Sequence, residues 1–544
     1  MARGARGRDA PGSLGAFHYV IVGGGAAGCV LANRLSAQPD VRVALVEAGG
    51  PDRHPLIHVP AGVAGLIGHP ELDWRYSTAP QEAAADRRIA LPRGRVLGGC
   101  TSTNGMVYFR GHPADYDAWA AAGCNGWGYS DVLPYFARSE GNSQFRDQPW
   151  HGADGPMRVS SYRRPNPLSR RFVEAGMSLG YPAVDDFNVG RPEGFGLRQA
   201  TIRDGRREST ATAFLRPASN RPNLAVFTNA LADRLVVEDG RVTGVRILQD
   251  NVAKVLTAEC EVVLSAGAYG SPAILQRSGI GDATTLKGVG IEVAHHAPAV
   301  GGGLQDHLVA PVQMATDSAL PYVVDWRVLP RLAGNLLEYA LLRRGPLASN
   351  VFEATAFIRT SPDLPRPDVQ LIFMPMHRAP TPLPRRRGFG ILVALLRPRS
   401  RGSVRIASPD PAAAPIIDPR FLSDHADLPP LLKGLGVARR IFASGPFADL
   451  DATELLPGAE SVDPNALADH VRRNCVTVHH PVGTCRMGPD ADSVVDPTLR
   501  VRGLDGLRVV DASIMPTIIG GNTAAPVIMI AEKASDLILR AHRG

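Results

Sequence analysis

Near the end of the chain, the stretch HHPVGTCRMG (His479 to Gly488) gathers two imidazoles, a thiol and a thioether. Such residues could ligate a metal, carry a redox thiol, hold a catalytic base, or simply pack as a loop. Adjacent residues on an extended chain point to opposite faces, so His479 and His480 do not readily share one ion. Cys485 and Met487 lie in a glycine- and proline-marked turn with no carboxylate or further histidine nearby, so no metal is expected. Cys475 and Cys485 lack a known pairing spacing. A base and a packed loop remain, and this stretch alone does not choose between them.

The elements that must position such a base begin at the other end of the chain. Tyr19-Val20-Ile21-Val22 is a β-branched apolar run that stops at glycine, as a buried parallel strand does. Ala26 to Leu35 carries good helix formers, and Val41 to Val46 reads as a second buried strand. Gly23, Gly25 and Gly28 fall on the turn between strand and helix. The first permits the tight turn, the second lets backbone approach a pyrophosphate, and the third lets helix pack close to strand. The helix start offers free N–H groups and the positive end of its dipole to phosphates. Glu47, 19 residues past Gly28, can accept hydrogen bonds from ribose hydroxyls and would repel a 2′-phosphate. An adenine dinucleotide fits, NADP is disfavoured, and this unit alone leaves NAD and FAD open.

Two further segments bear on that choice. Residues 92–111, PRGRVLGGCTSTNGMVYFRG, are too rich in glycine and small polar residues for a helix or strand interior. Gly98-Gly99 would let backbone come very close to something flat or charged. Towards the end, Leu507 to Val510 reads as a strand. Asp511 follows where a carboxylate could bind a sugar hydroxyl or orient a phosphate. Thr523 then looks like the N-cap of a long apolar-faced helix, with Pro526 tolerated in its first turn. The positive end of that helix would stabilise the anionic edge of a reduced flavin, whereas a nicotinamide gains nothing comparable. This favours FAD.

Bulk properties set the frame. The chain has 544 residues, 44% hydrophobic and 20% charged, the profile of a globular protein with ample core. No apolar run reaches the roughly 18 residues needed to span a membrane. Residues 1–16 are basic without the apolar stretch of a secretory signal and read as a disordered tail. A cytoplasmic protein is expected, with peripheral membrane contact left open. The net charge is +7, but only Lys254, Lys287, Lys433 and Lys533 are lysines. The arginines are scattered, with one short run at Arg385-Arg386-Arg387 and no nucleic-acid motif, so no nucleic-acid partner is expected. Six cysteines without a CxxC pair or zinc spacing fit reduced thiols.

The chain from about Phe17 to Leu539 resembles the glucose–methanol–choline (GMC) oxidoreductases, FAD-dependent enzymes that mostly oxidise alcohols. The resemblance rests on VIVGGGAAGCVLANRL, LPRGRVLGGCTSTNGMVYFRG, EVVLSAGAYGSPAILQRSGIG (Glu261 to Gly281), GLQDH (Gly303 to His307), HHPVGTCRMG and VDASIMPTIIGGNTAAPVIMIAEKASDLI; residues 315–460 match weakly. It implies an α/β fold, with a Rossmann-like FAD-binding domain (17–160, 200–308 and 468–544) and an inserted α+β substrate domain (161–199 and 309–467) carrying an antiparallel sheet. His480, directly before Pro-Val-Gly-Thr, would be the catalytic base and Asn522 its partner on the substrate oxygen, while His479 faces away or lines the pocket wall. Gly23, Gly25, Gly28 and Glu47 would bind the ADP half, with Ala232 backbone at the adenine edge. Arg93, Gly98, Gly99, Asn104 and Val107 would surround the pyrophosphate, ribityl chain and ring, and Asp511, Asn522 and Thr523 the ribityl chain and ring.

Flavin N5 would take hydride from the carbinol while a base accepts the hydroxyl proton, a task for a group titrating near neutrality. Thr103 stands where members with tethered flavin carry histidine, so noncovalent FAD is expected. Cys100 replaces a common serine, and Gly302-Gly303 a common Glu-Asn. Glu353 sits where some relatives place a carboxylate for a cationic substrate, but its apolar surroundings suit a structural glutamate at least as well. A lyase on the same scaffold, either a light-driven fatty-acid decarboxylase or a hydroxynitrile lyase, is the alternative activity. The sequence leaves open which alcohol is oxidised and whether oxygen, a quinone or a cytochrome accepts the electrons.

Overall fold

The strand Gly12–Val22 ends in Tyr19, Val20, Ile21 and Val22, all buried, as a central strand covered on both faces requires. It pairs in parallel with Val43–Val46 on one side and with Val252–Leu264 on the other. The helix Ala26–Leu35 makes the first crossover. The structure, a computed structural model, describes residues 12–322, 329–376 and 387–543. Arg385 and Arg386 of the arginine run therefore lie outside the described residues. Among those described, seven strands form this sheet, in the order Leu224–Phe227, Val43–Val46, Gly12–Val22, Val252–Leu264, Arg241–Gln249, Ala230–Glu238, with Leu507–Val509 also paired to Val252–Leu264.

The strand starts earlier than the sequence reading of 1–16 as a tail allows. The long strand Val252–Leu264 runs past the parallel core and offers free backbone there. Gly12 and Ser13 pair with Lys254 and Val255. Glycine-rich residues with half-exposed side chains give no hydrophobic signal of this pairing. Residues 1–11 lie outside the described residues.

The final helix, Ala524–Arg543, packs against Ala26–Leu35. The buried carboxylate of Glu532 joins them, 2.7 Å from Arg34 and 2.7 Å from Arg138. This tie holds the end of the first helix against the body of the last.

A second sheet is antiparallel, in the order Thr453–Leu456, Leu308–Thr316, Arg387–Leu395, Val369–Met374, Ala354–Ile358, Gly194–Leu197. Side chains alternate across it. Val369, Leu371 and Phe373 share a core with Leu431, Leu435 and Ala438 of the helix Leu428–Phe442, while Ile372 and Leu392 face the opposite side with Val478. The helix Pro464–Asn474 and the strand Val476–Thr477 join this sheet by contact, although the expected nucleotide-binding segment begins at 468. Among the described residues no helix is long and apolar enough to cross a membrane. All six cysteines are free thiols.

Candidate active site

The two glycine loops are built against each other. A Cβ on Gly28 would lie 1.9 Å from the Gly23 carbonyl oxygen, so only glycine lets the helix come this close to the strand. Gly99 has φ +51°, and a Cβ on it would lie 2.7 Å from Gly25 Cα. Gly98 N–H donates to the Gly24 carbonyl at 2.7 Å, locking the loops together. The start of the helix Ala26–Leu35 has no side-chain cap. Its first-turn N–H groups are left for a ligand anion.

These loops border a cavity of about 370 Å³. Gly23, Gly25, Glu47, Arg93, Gly99, Asn104, Val107, Ala232, His480, Asp511, Asn522 and Thr523 all line it. Gly28 and Gly98 do not; they act from behind, by letting backbone approach backbone. Glu47 accepts N–H bonds from Gly24 at 2.9 Å and Gly49 at 2.8 Å. Burial nevertheless raises its pKa to about 7. Ala232 lies at an irregularity in the pairing of Ala230–Glu238 with Arg241–Gln249.

Several expected ligand contacts have work inside the protein. Asp511 accepts from Gly267 N at 2.8 Å, Ser271 Oγ at 2.6 Å and Ser513 N at 2.8 Å, which pins the end of its strand to the helix Gly267–Arg277. Asn104 Oδ1 accepts from Met106 N and from Arg207. The Arg93 guanidinium donates to the His479 carbonyl at 2.7 Å. It thereby holds the turn in which His479 adopts φ 68°. That left-handed residue redirects the chain between the paired histidines. Thr523 directly precedes the final helix, and its carbonyl accepts from Val527 N at 3.0 Å.

His480 is held from three sides. Its backbone N–H donates to Asp306 Oδ1 at 2.7 Å. Nε2 lies 3.1 Å from Asn522 Nδ2, and Nδ1 lies 3.0 Å from Nδ1 of His307. An amide nitrogen only donates, so Nε2 of His480 accepts and its ring proton sits on Nδ1. That proton is given to His307 Nδ1. The proton of His307 is then on Nε2, near the carbonyls of Leu396 and Ile519, neither in full hydrogen-bond geometry. Burial, followed by the neighbouring His307, pulls the pKa of His480 well below 6.5. Burial likewise brings His307 down to about 3. Nε2 is thus unprotonated at neutral pH, its lone pair holding only the hydrogen bond from Asn522. Asn522 Oδ1 is buried without a partner, a second polar atom left for a ligand.

GLQDH is conspicuous in the sequence, but no role for Asp306 or His307 is legible there, because the pairing of His307 with His480 spans 173 positions. Asp306 also accepts from Thr477 Oγ1 at 2.5 Å and from His307 N at 2.8 Å. Burial raises its pKa to about 6. Asp115 was missed too. It accepts from Gly520 N at 2.7 Å and pairs with Arg366 at 2.6 Å and with Arg397, fixing the loop that carries Asn522. Glu353 does not line the cavity. Its carboxylate is filled by Asn166 N, Ser169 Oγ, Ser349 Oγ and Tyr322 OH.

A parallel sheet with a glycine cradle, joined to an antiparallel sheet that closes over a histidine, defines a two-part nucleotide-dependent oxidoreductase. The family comparisons agree. The N-terminal GMC oxidoreductase model matches residues 17–309 and the C-terminal one residues 398–531. An alcohol dehydrogenase [acceptor] of Pseudomonas putida is 43% identical over 96% of both chains. An oxygen-dependent choline dehydrogenase of Rhizobium etli is 40% identical over 96% of this chain and 95% of that one. Pyridoxine 4-oxidase from Mesorbium loti superposes with a TM-score of 0.88 at 34% identity, covering 97% of this chain and 99% of that one. The chain belongs to the GMC oxidoreductases, an FAD-dependent family. The uncapped helix start, the interlocked glycine loops and the open Asn522 Oδ1 fit that cofactor.

Proposed function

We propose that this protein oxidises an alcohol with noncovalently bound FAD, His480 serving as general base and Asn522 holding the substrate oxygen. The observation that carries the reading is the directed chain Asn522–His480–His307, which keeps Nε2 of the cavity-lining imidazole unprotonated and engaged only by an amide that a substrate hydroxyl can replace. Bound FAD would supply the hydride acceptor. Nε2 of His480 takes the hydroxyl proton, because both of its ring neighbours fix the neutral tautomer. Asn522 Nδ2 moves its hydrogen bond from Nε2 to the alcohol oxygen and does not compete for the proton. Such a positioned base contributes about 10²–10⁴-fold. Asp306, fixing both histidine backbones, and Arg93, fixing the turn before His480, keep the ring from rotating.

Gly25, Gly99 and the start of the helix Ala26–Leu35 would hold the pyrophosphate, with Glu47 and Ala232 on the adenosine. Thr103 lines the cavity and cannot form the tether that a histidine forms, which supports a noncovalent cofactor. Anaerobic mixing of the purified holoprotein with a panel of primary and secondary alcohols tests the reading. Bleaching of the flavin band in the dark with stoichiometric aldehyde or ketone is the expected result. An unbleached band with every alcohol, or product formed only under blue light, would overturn it.

A further inference from the structure

Arg198 follows the edge strand Gly194–Leu197 of the second sheet. Its backbone N–H donates to the Glu353 carbonyl at 2.9 Å, which carries the side chain inward. The residue is 4% exposed, yet Nε and Nη2 are buried without a hydrogen-bond partner. Among the described residues no carboxylate lies within 4.0 Å of its guanidinium. Burial lowers its pKa to about 10, so it remains a cation at neutral pH. A buried, unpaired guanidinium is among the costliest arrangements a fold can keep.

The nearest carboxylate with electrostatic influence, Glu353, is already saturated by four donors. Asp185 borders the small adjoining cavity but is exposed. Arg198 lines the main cavity together with His480, Asn522 and the apolar side chains of Phe352, Ile372 and Leu392. Its charge reaches His480, as one of the causes of that ring's lowered pKa. The guanidinium therefore stands in the chamber where the alcohol must sit, with donors free.

We infer that Arg198 is the anion-recognition residue of the substrate chamber, and that the preferred alcohols carry a carboxylate separated from the carbinol by an apolar body. The inference rests on alcohol oxidation for the word alcohol; the anion site itself does not. A planar fork of N–H donors matches a carboxylate in two parallel bonds. Apolar walls suit the connecting body. A quaternary ammonium alcohol such as choline would instead add a second cation beside an unpaired one and find no free carboxylate.

Calorimetric titration of the holoprotein with sodium benzoate reads the site without turnover. The dissociation constant is expected to rise about 10- to 100-fold in Arg198→Met, with Arg198→Lys between. Flavin content of both variants verifies folding. In turnover, 4-(hydroxymethyl)benzoate and 4-methylbenzyl alcohol differ by a carboxylate in place of a methyl. Their kcat/KM ratio is expected above about 10 in the wild type and near about 1 in Arg198→Met. No benzoate binding to the wild type, or equal affinity in both proteins, overturns the inference. Should the variant instead shift the flavin spectrum with unchanged benzoate affinity, the guanidinium serves the cofactor and the inference fails. Oxidation of neutral alcohols without anion preference sinks this inference alone. Arg198-dependent benzoate binding without oxidation of any alcohol sinks the proposed function and leaves the anion site standing.

Discussion

The nucleotide end and the substrate end of the cavity are built on different principles. At the first, backbone meets backbone: Gly28 against the Gly23 carbonyl, Gly99 against Gly25, Gly98 N–H on the Gly24 carbonyl. The ligand is to be gripped by N–H groups and a helix start, so what the sequence must encode there is the absence of side chains. At the second, strand ends (His307 and Arg198) and the loops beside them (His480 and Asn522) deliver side chains with individual charges and protons. Gly28 and Gly99 tolerate no added atoms where they stand; the other end is tuned by which atoms are added. The first end is built for the cofactor the family shares, whereas in the proposed function the second carries both the proton transfer and the choice of substrate.

The largest effect is expected at the backbone end. In Gly28→Val the new side chain would overlap the Gly23 carbonyl, where a Cβ already falls at 1.9 Å. Soluble, flavin-loaded protein is expected to be lost, measured as the ratio of flavin to protein absorbance; a loaded variant would refute the close-approach argument.

Next in size is His307, a positioning residue that reaches substrate only through His480. In His307→Leu the acceptor for the Nδ1 proton is gone, and the flavin reduction rate is expected to fall about 10- to 100-fold. His307→Asn, which can still accept that proton, recovers part of the rate. The sign of the pH effect is also set. Because the pKa of His480 is pulled below 6.5, its base form persists into mild acid. The wild-type kcat/KM should stay flat down to below about pH 6.5. His307 is one cause of that depression, so its replacement by leucine should move the acid limb upward. An acid limb above pH 6.5 in the wild type contradicts the assigned environment.

The smallest effect is expected at Glu353. Replacing it by glutamine puts an NH2 where the carboxylate accepted two of its four hydrogen bonds, so hydroxyl partners must turn to accept instead. A loss of about 1–3 kcal/mol in stability follows, read as a lower thermal midpoint. Kinetic discrimination between cationic and neutral alcohols should not move. If Glu353→Gln selectively weakened a cationic alcohol, the carboxylate would belong to the substrate chamber after all.

How much of this the sequence displays follows the same division. The roles proposed for Gly23, Gly25, Gly28 and Glu47 are legible in spacing because they are local, within one strand–turn–helix–strand unit. His480 and Asn522 needed the resemblance, since nothing in HHPVGTCRMG alone separates a base from a packed loop. Their 3.1 Å approach joins residues 42 positions apart. His307, Asp306 and Asp115 had no legible role, because each acts across contacts between distant segments. Arg198 carried no signal at all: one arginine among many, recognisable only once burial and missing partners are known. The strand from Gly12 was hidden for the opposite reason, a pairing made by backbone with almost no hydrophobic pattern.

In the proposed function everything turns on the imidazole of His480 removing the hydroxyl proton. The most direct measurement is the anaerobic rate at which a good alcohol reduces the flavin in wild type and in His480→Ala, at equal flavin loading. A fall of about 10²–10⁴-fold is predicted, with partial recovery as pH rises and the alkoxide forms in solution. A variant that reduces its flavin at the wild-type rate would contradict the claim.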